Sequence, residues 1–332
     1  MFGYLRFILA FLVLLSHMDI RFYGMNPGVT AVVMFYLLAG HVVAHLWDNV
    51  LPQGRFRLAS FYRDRLLRVM PLYLYIISLT LVFLVLTGYG NPHYSFFRLL
   101  GNLLVVPMNY YMVLDTTILT DPPWALIPVA WSLGAELQAY LILPLLLQSG
   151  RWKALLITCS LAVYMLANLG VLQPDYFGYR LLPGVLFMFG AGACIQRGGF
   201  RSRHLADRID RLFPWLLWLV IISLFWIFLT AGLFVPGYTK ETFLGLILGI
   251  PLVSFGSRTR IRLPYNALLG SLSYGVFMAH FLMIWLLDYY LGPTGISLVL
   301  RVLAVFLGSL AIAWLGVSSF ETRVDRMRKF VK

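Results

Sequence analysis

Two ionisable residues stand in the first apolar stretch of the chain, Arg6 and His17, eleven positions apart. On a helix, eleven steps of about 100° bring both side chains to within ~20° of one face, separated by roughly 16 Å along the axis. One helix face would therefore carry a permanent cation at one end and an imidazole at the other. This arrangement suits a reactant that is anionic at one end and reactive at the other. The alternative is that each residue marks a membrane surface.

Further arginines follow in the basic segment 61–73, where Arg65 and Arg68 are spaced as i and i+3. Residues at this spacing share a helix face. The planar guanidinium fork of arginine is suited to binding phosphates. A simpler explanation of the same residues is the excess of positive charge that cytoplasmic loops of membrane proteins carry.

A polar stripe occurs in the segment 131–140, where Ser132, Glu136 and Tyr140 are spaced as i, i+4 and i+8 behind Trp131. This spacing places the three side chains on one face of a helix. The stripe predicts a lined cavity, in which Trp131 and Tyr140 could contact a substrate. Glu136 could instead complement the dipole at the N-terminal end of its helix.

Two smaller signals complete the candidate site. Ser273 and His280 are seven residues apart and share a helix face, although a lone intramembrane histidine is more often a packed, hydrogen-bonded residue. Asp19 follows His17 by two positions and could orient its imidazole; a solvated loop acid is the alternative.

Metal and disulfide chemistry are not expected. His41, His45 and Asp48 have a metal-compatible spacing but no evident further ligand, so no metal is predicted. Cys159 and Cys194 both lie in apolar runs and form no CxxC motif.

The elements that must position these residues are membrane helices. Of the 332 residues, 61% are apolar and only 12% are charged, which leaves too little polar surface for a soluble protein of this size. The net charge of +13 does not indicate nucleic-acid binding, because the basic residues form short clusters between apolar runs. We therefore expect an all-α, polytopic membrane helix bundle in contact with lipid.

A membrane span needs roughly 20 mostly apolar residues. Ten stretches meet this requirement approximately: 3–20, 28–47, 70–88, 131–148, 154–170, 180–196, 213–233, 242–256, 268–288 and 297–317.

The connecting segments predict the orientation. Segments 51–68, 151–153, 197–211, 258–262 and 322–332, together with Arg6, hold 21 of the 26 basic residues, which places both termini in the cytoplasm. A further apolar stretch, 97–114, would reverse every later loop if it crossed the membrane, so it is predicted to be a re-entrant or interfacial helix.

Several segments together resemble the acyltransferase-3 family of membrane acyltransferases. They are Arg6-x10-His17, MFYLLAG at 34–40, YRDRLLRVMPLY at 62–73, WSLGAE at 131–136 and SYGVFMAH at 273–280. The chain departs from the family pattern at Ala39 and His41. The resemblance covers essentially the whole chain and implies one transmembrane acyltransferase domain, 1–332, without the soluble domain that is fused to some relatives.

The resemblance implies transfer of an acyl group, usually acetyl, from cytoplasmic acyl-CoA to a hydroxyl of an extracytoplasmic glycan or lipid-linked sugar. Arg6, Arg65 and Arg68 would then hold the CoA phosphates. His17 would act as general base or as acyl-carrying nucleophile, with Glu136 to orient or polarise it. The residues expected to contact the substrate are Trp131, Ser132, Tyr140, Ser273 and His280. Membrane O-acetylation of an envelope polysaccharide at the cytoplasmic (inner) membrane is the expected role. The acceptor and the oligomeric state stay open, and a transporter or flippase of acylated or lipid-linked sugars is the alternative.

Overall fold

A computed structural model describes residues 1–148, 150–198, 205–259, 261, 263–292, 295–321, 324 and 327. Within these residues the chain is helical apart from its connections and one two-stranded ribbon. The helices are α1 (Phe2–His17), α2 (Pro27–His45), α3 (Arg57–Thr87), α4 (Phe96–Leu104), α5 (Ala130–Gln148), α6 (Gly150–Asn168), α7 (Leu182–Arg197), α8 (Leu205–Thr230), α9 (Thr239–Arg258), α10 (Asn266–Leu291) and α11 (Leu298–Gly316). Single π-helical turns at Leu46–Val50, Tyr176–Arg180 and Val317–Glu321 adjoin α2, α7 and α11.

Each of the ten predicted spans coincides with a helix. Among the described residues, eight helices are long and apolar enough to cross a membrane, and α1 and the apolar part of α6 are shorter apolar helices. The predicted all-α bundle of a multi-pass membrane protein is thus confirmed. The number of crossings and the side on which the termini lie stay predictions.

The third span begins earlier than predicted. Segment 51–68 is predicted to connect two spans, but α3 already starts at Arg57 and continues without a break through Pro71. The difference has a local reason, because no glycine or proline interrupts the chain between Gly54 and Pro71, whereas Leu, Ala and Arg favour helix. The basic residues after position 56 therefore lie on a rigid helix rather than on a loop.

The stretch predicted to be re-entrant or interfacial is not one helix. It consists of α4, which Ser95 caps, and a short 3-10 helix at Val106–Tyr110, with a break at Val105, whose φ is +66°. At about 1.5 Å per residue, the nine residues of α4 span roughly 13 Å, less than half of a bilayer core. A short ribbon of β1 (Leu119–Thr120) and β2 (Pro123–Trp124) follows before α5.

The helices differ strongly in how much of their surface other helices cover. In the most apolar stretch of each helix, 78% of the residues of α2 and 83% of those of α7 are buried inside the protein, but only 22% for α8 and 17% for α11. The backbones of α2 and α7 are in direct contact at two glycines. A Cβ at Gly40 of α2 would lie 1.9 Å from the Phe189 carbonyl oxygen of α7, and a Cβ at Gly192 of α7 would lie 1.9 Å from the Leu37 carbonyl oxygen of α2. Apolar helices that expose most of their surface are suited to lipid contact.

Part of the charge pattern that predicted the orientation lies outside the described residues. These positions are Arg201, Arg203, Arg260, Arg262 and the basic residues of the tail 322–332.

Candidate functional site

A cavity of about 480 Å³ opens between α1, α2, α3, α5 and α10. Seven of the residues predicted to form a site line it: Arg6, Arg65, Arg68, Ser132, Glu136, Tyr140 and Ser273. The cavity therefore contains three arginines and one glutamate, contributed by three different helices. This combination favours an anionic ligand, because the fixed positive charges outnumber the single carboxylate.

Arg6 reaches the cavity from the first turns of α1. The start of α1 is fixed against α10, because the Gly3 backbone N–H donates to Asn266 Oδ1 at 2.9 Å. Glycine is required there, since a Cβ would lie 1.7 Å from the Asn266 carbonyl oxygen. Among the described residues, none forms a hydrogen bond or ion pair with the Arg6 guanidinium, which is half-buried at the cavity wall. Its donors are thus available to a ligand.

Arg65 and Arg68 enter the cavity from one face of α3, as their spacing predicted. The buried Arg65 donates from Nε to Asp64 at 3.0 Å and from Nη2 to the same carboxylate. Arg68 donates from Nη1 to Ser271 Oγ on α10 at 3.3 Å. These contacts hold both guanidinium groups in defined positions before any ligand is present.

Glu136 lies in the arginine cavity, one helical turn from Tyr140, whose hydroxyl donates a hydrogen bond to the Glu136 carboxylate. Arg6, Arg65 and Arg68 line the same cavity as Glu136. The hydrogen-bond partner that the structure gives Glu136 is Tyr140, and His17 is bonded to a different residue, so a role of Glu136 toward His17 stays a prediction. The spacing along α5 predicted that Ser132, Glu136 and Tyr140 share one helix face. It contains no information about which other helices this face contacts.

His17 is the last residue of α1, and its exposed imidazole is bonded to His280 of α10. His17 Nδ1 lies 3.0 Å from His280 Nε2, and the two rings are stacked with centroids 5.1 Å apart. His280 is completely buried. The structure thus unites two residues that the sequence had placed 263 positions apart.

The histidine pair lies next to the cavity. Phe277 and Met278 of α10 line the cavity wall and precede His280 by less than one turn. Because α1 and α10 begin together at Gly3 and Asn266 and still contact each other at His17 and His280, the two helices run parallel. The cavity and the pair therefore lie along the same two helices.

Asp19 and Trp131 do not line the cavity. Asp19 is exposed in a left-handed conformation (φ +57°) directly after α1. Trp131 packs edge-on against Tyr179 with centroids 5.0 Å apart, and the Arg180 guanidinium lies 4.4 Å from its ring centre. The aromatic group around Arg180 was not predicted from the sequence. There, Arg180 was only one of the five basic residues outside the basic clusters.

Four polar residues of the cavity wall were not predicted from the sequence: Tyr36, Asn266, Ser271 and Tyr274. The Tyr274 hydroxyl donates to the Val69 carbonyl oxygen at 3.1 Å, which ties α10 to α3. The sequence does contain a pattern that could have predicted part of this wall. Ser271, Tyr274 and Met278 follow each other at spacings of three and four, so they share one helix face, and all three line the cavity.

The part of the chain that the structure describes contains no group of three or more histidine, cysteine, aspartate or glutamate side chains that could hold a metal. In the segment with metal-compatible spacing, the Asp48 carboxylate instead accepts two hydrogen bonds from Arg197, at 2.7 and 2.8 Å. The His45 Nδ1 lies 3.3 Å from the side-chain nitrogen of Asn49.

Comparison with known proteins identifies the family. A family model described as an acyltransferase domain matches residues 2–317, nearly the whole chain. The chain belongs to the acyltransferase-3 family. The resemblance found in the sequence motifs is thereby confirmed, and the protein is a membrane acyltransferase in the general sense of that family.

Two relatives share parts of this acyltransferase. An uncharacterized protein of Aquifex aeolicus (strain VF5) is 42% identical over 214 residues, which cover 63% of this chain and 92% of the relative. Protein 2 in the picA locus of Rhizobium radiobacter is 25% identical over 138 residues, which cover 37% of this chain and 72% of the relative. No solved structure matches the chain significantly.

Proposed function

We propose that this acyltransferase moves an acyl group, most simply acetyl, from cytoplasmic acyl-CoA to a hydroxyl of an extracytoplasmic glycan or lipid-linked sugar. The observation that carries this proposal is a cavity with three arginines at its wall, together with a bonded pair of histidines on α1 and α10, two of the helices that border this cavity. The enzyme would act in the cytoplasmic membrane as part of envelope polysaccharide modification.

The cavity would hold the donor. Acyl-CoA is anionic at its nucleotide end, and guanidinium–phosphate pairs form strong, charge-assisted hydrogen bonds. Arg6 has donors available for them, whereas Arg65 and Arg68 are already oriented by Asp64 and Ser271. The uncharged pantetheine arm would follow the wall of α10 past Ser273 toward the histidines.

The histidine pair would carry the chemistry. His17 accepts the proton of the acceptor hydroxyl while the hydroxyl oxygen attacks the thioester carbonyl. The new ester C–O bond forms, the C–S bond breaks, and the CoA thiolate leaves and takes up the proton from His17. In the alternative route a ring nitrogen of His17 attacks the thioester carbonyl, an N–C bond forms, the C–S bond breaks and CoA leaves as the thiolate. The acceptor hydroxyl then attacks the acyl carbon, the N–C bond breaks, and the hydroxyl proton passes to the thiolate, so that the products are the ester, CoA thiol and free His17.

The acceptor would approach His17 from the side on which this residue is exposed. Trp131, Tyr179 and Arg180 pack together, and aromatic faces of this kind would be suited to contact with a sugar.

The test uses detergent-purified enzyme and labelled acetyl-CoA, with and without cell-envelope glycans. Transfer of label to glycan is expected for wild type, and His17→Ala should lower it by about 10²- to 10⁴-fold. The matched control is His45→Ala, because His45 is likewise the exposed last residue of its helix but lies outside the cavity. Label that stays on wild-type protein without acceptor would indicate the acyl-histidine route. Wild-type turnover by His17→Ala would refute the assignment of His17.

A further inference from the structure

The two histidines share a single hydrogen bond, and its direction decides where His17 carries its proton. His17 Nδ1 and His280 Nε2 are 3.0 Å apart, so one of these nitrogens donates and the other accepts. If His280 donates, His17 is protonated at Nε2 and has no nitrogen left to act as a base. If His17 donates, its Nε2 keeps a free lone pair.

A backbone carbonyl settles the direction. The other ring nitrogen of His280, Nδ1, lies 3.3 Å from the carbonyl oxygen of Val276, one turn earlier on α10. A carbonyl oxygen can only accept, so Nδ1 of His280 carries a hydrogen. In a neutral imidazole the other nitrogen then has none, and His280 Nε2 must be the acceptor.

The neutral form is required by the surroundings of His280. Its side chain is completely buried, and the rings it contacts among the described residues are those of His17, Phe277 and Phe281. An imidazolium at that depth would be a buried charge with which no carboxylate of the described residues forms an ion pair, and such a charge is costly.

We infer that His280 is a positioning residue that holds His17 as the tautomer protonated at Nδ1, with Nε2 unprotonated and ready to accept a proton. The inference rests on the proposed function, in which His17 is the base or nucleophile. After His17 takes up a proton, its Nδ1–H still donates to His280, so the imidazolium is stabilised where it forms. Phe281 packs against the His17 ring with centroids 4.8 Å apart and limits its rotation.

This role differs from the substrate contact that the sequence suggested for His280. Ser273, its partner in that expectation, lines the cavity, whereas His280 is absent from the cavity wall and bonds to His17 instead. His280 thus acts on the reaction through His17.

Two substitutions separate positioning from packing. His280→Gln can place an amide oxygen where Nε2 was and accept from His17, whereas His280→Met fills similar space and offers no comparable acceptor. We expect His280→Met to lower kcat by about 10²- to 10⁴-fold with an unchanged KM for acyl-CoA, and His280→Gln to recover most of kcat. The matched control is His41→Met, because His41 is also buried but neither of its ring nitrogens has a hydrogen-bond partner among the described residues.

A second readout does not depend on activity. In enzyme labelled with ¹⁵N at the histidine rings, the unprotonated nitrogen of His17 should be Nε2 in wild type and in His280→Gln. In His280→Met the two tautomers should mix. A wild-type spectrum with the proton on Nε2 would overturn the inference, as would equal kcat for His280→Met and wild type. Should wild type transfer no acyl group at all, the proposed function fails, and the spectrum still decides whether His280 sets the tautomer.

Discussion

Replacing Arg6 by glutamine removes the cavity guanidinium that, among the described residues, has no hydrogen-bonding partner of its own. This makes Arg6→Gln a cleaner perturbation than Arg65→Gln, which would leave the buried Asp64 carboxylate without its arginine. Breaking a buried pair in that way typically costs about 3–5 kcal/mol of stability. Loss of Arg6 should therefore change ligand binding with little effect on folding.

The magnitude follows from the bonds that Arg6 would make. A hydrogen bond to a charged group contributes about 1.5–3 kcal/mol, and each 1.4 kcal/mol is roughly tenfold in affinity. We expect KM for acyl-CoA to rise by roughly 10- to 150-fold in Arg6→Gln, with kcat nearly unchanged, because the phosphates are bound equally in the ground and transition states.

The assay compares acetyl-CoA with acetyl-pantetheine, a truncated donor without the nucleotide. Arg6→Gln should lose nothing with the truncated donor, since no nucleotide phosphate is present. The matched control is Arg63→Gln, because Arg63 is exposed on α3 and does not line the cavity. Equal losses with both donors, or an equal effect of Arg63→Gln, would refute the cavity as the phosphate site.

Three further outcomes are expected. Glu136→Gln should lower KM for acyl-CoA about fivefold, the effect of roughly 1 kcal/mol of lost charge repulsion; a lower kcat at unchanged KM would instead support a role toward His17. Gly3→Ala should destabilise the protein by about 1–3 kcal/mol in thermal unfolding, because its Cβ would meet a backbone carbonyl of α10 at 1.7 Å. In a Cys159→Ser background, Thr120→Cys should react with impermeant maleimide from outside intact cells and Arg63→Cys should not; the reverse would invert the predicted orientation.

The sequence predicted which residues share a helix face, but not which faces meet. The i, i+4 spacing of Glu136 and Tyr140 and the i, i+3 spacing of Arg65 and Arg68 are local properties of α5 and α3. The structure places both pairs in one cavity, which was not predicted from the sequence. Their distance from His17 likewise depends on how helices far apart in sequence pack, and no periodicity within one helix encodes that.

His280 illustrates the same limit. A lone histidine in an apolar helix has no sequence feature that reveals its partner, so packing and substrate contact were the two roles that the sequence offered for it. The decisive observations are two contacts, one to Val276 within its own helix and one to His17 at a separation of 263 positions. The first could be anticipated from helix geometry, while the second required the fold.

The packing of α1 against α10 fixes the position of the cavity arginine Arg6 relative to the histidine pair. The bond between Gly3 and Asn266 and the bond between His17 and His280 both join residues 263 positions apart, so the two helices keep the same register from end to end. Parallel helices in constant register cannot slide against each other without breaking both bonds. Arg6 is therefore held at roughly 16 Å from His17 along α1, the rise of eleven helical residues.

A donor that satisfies both ends must carry its negative charge at that distance from its reactive carbonyl, with an uncharged arm between them. Acyl-CoA is built in this way, whereas a small acyl phosphate, in which the anion adjoins the reactive carbonyl, would leave one end of the site empty.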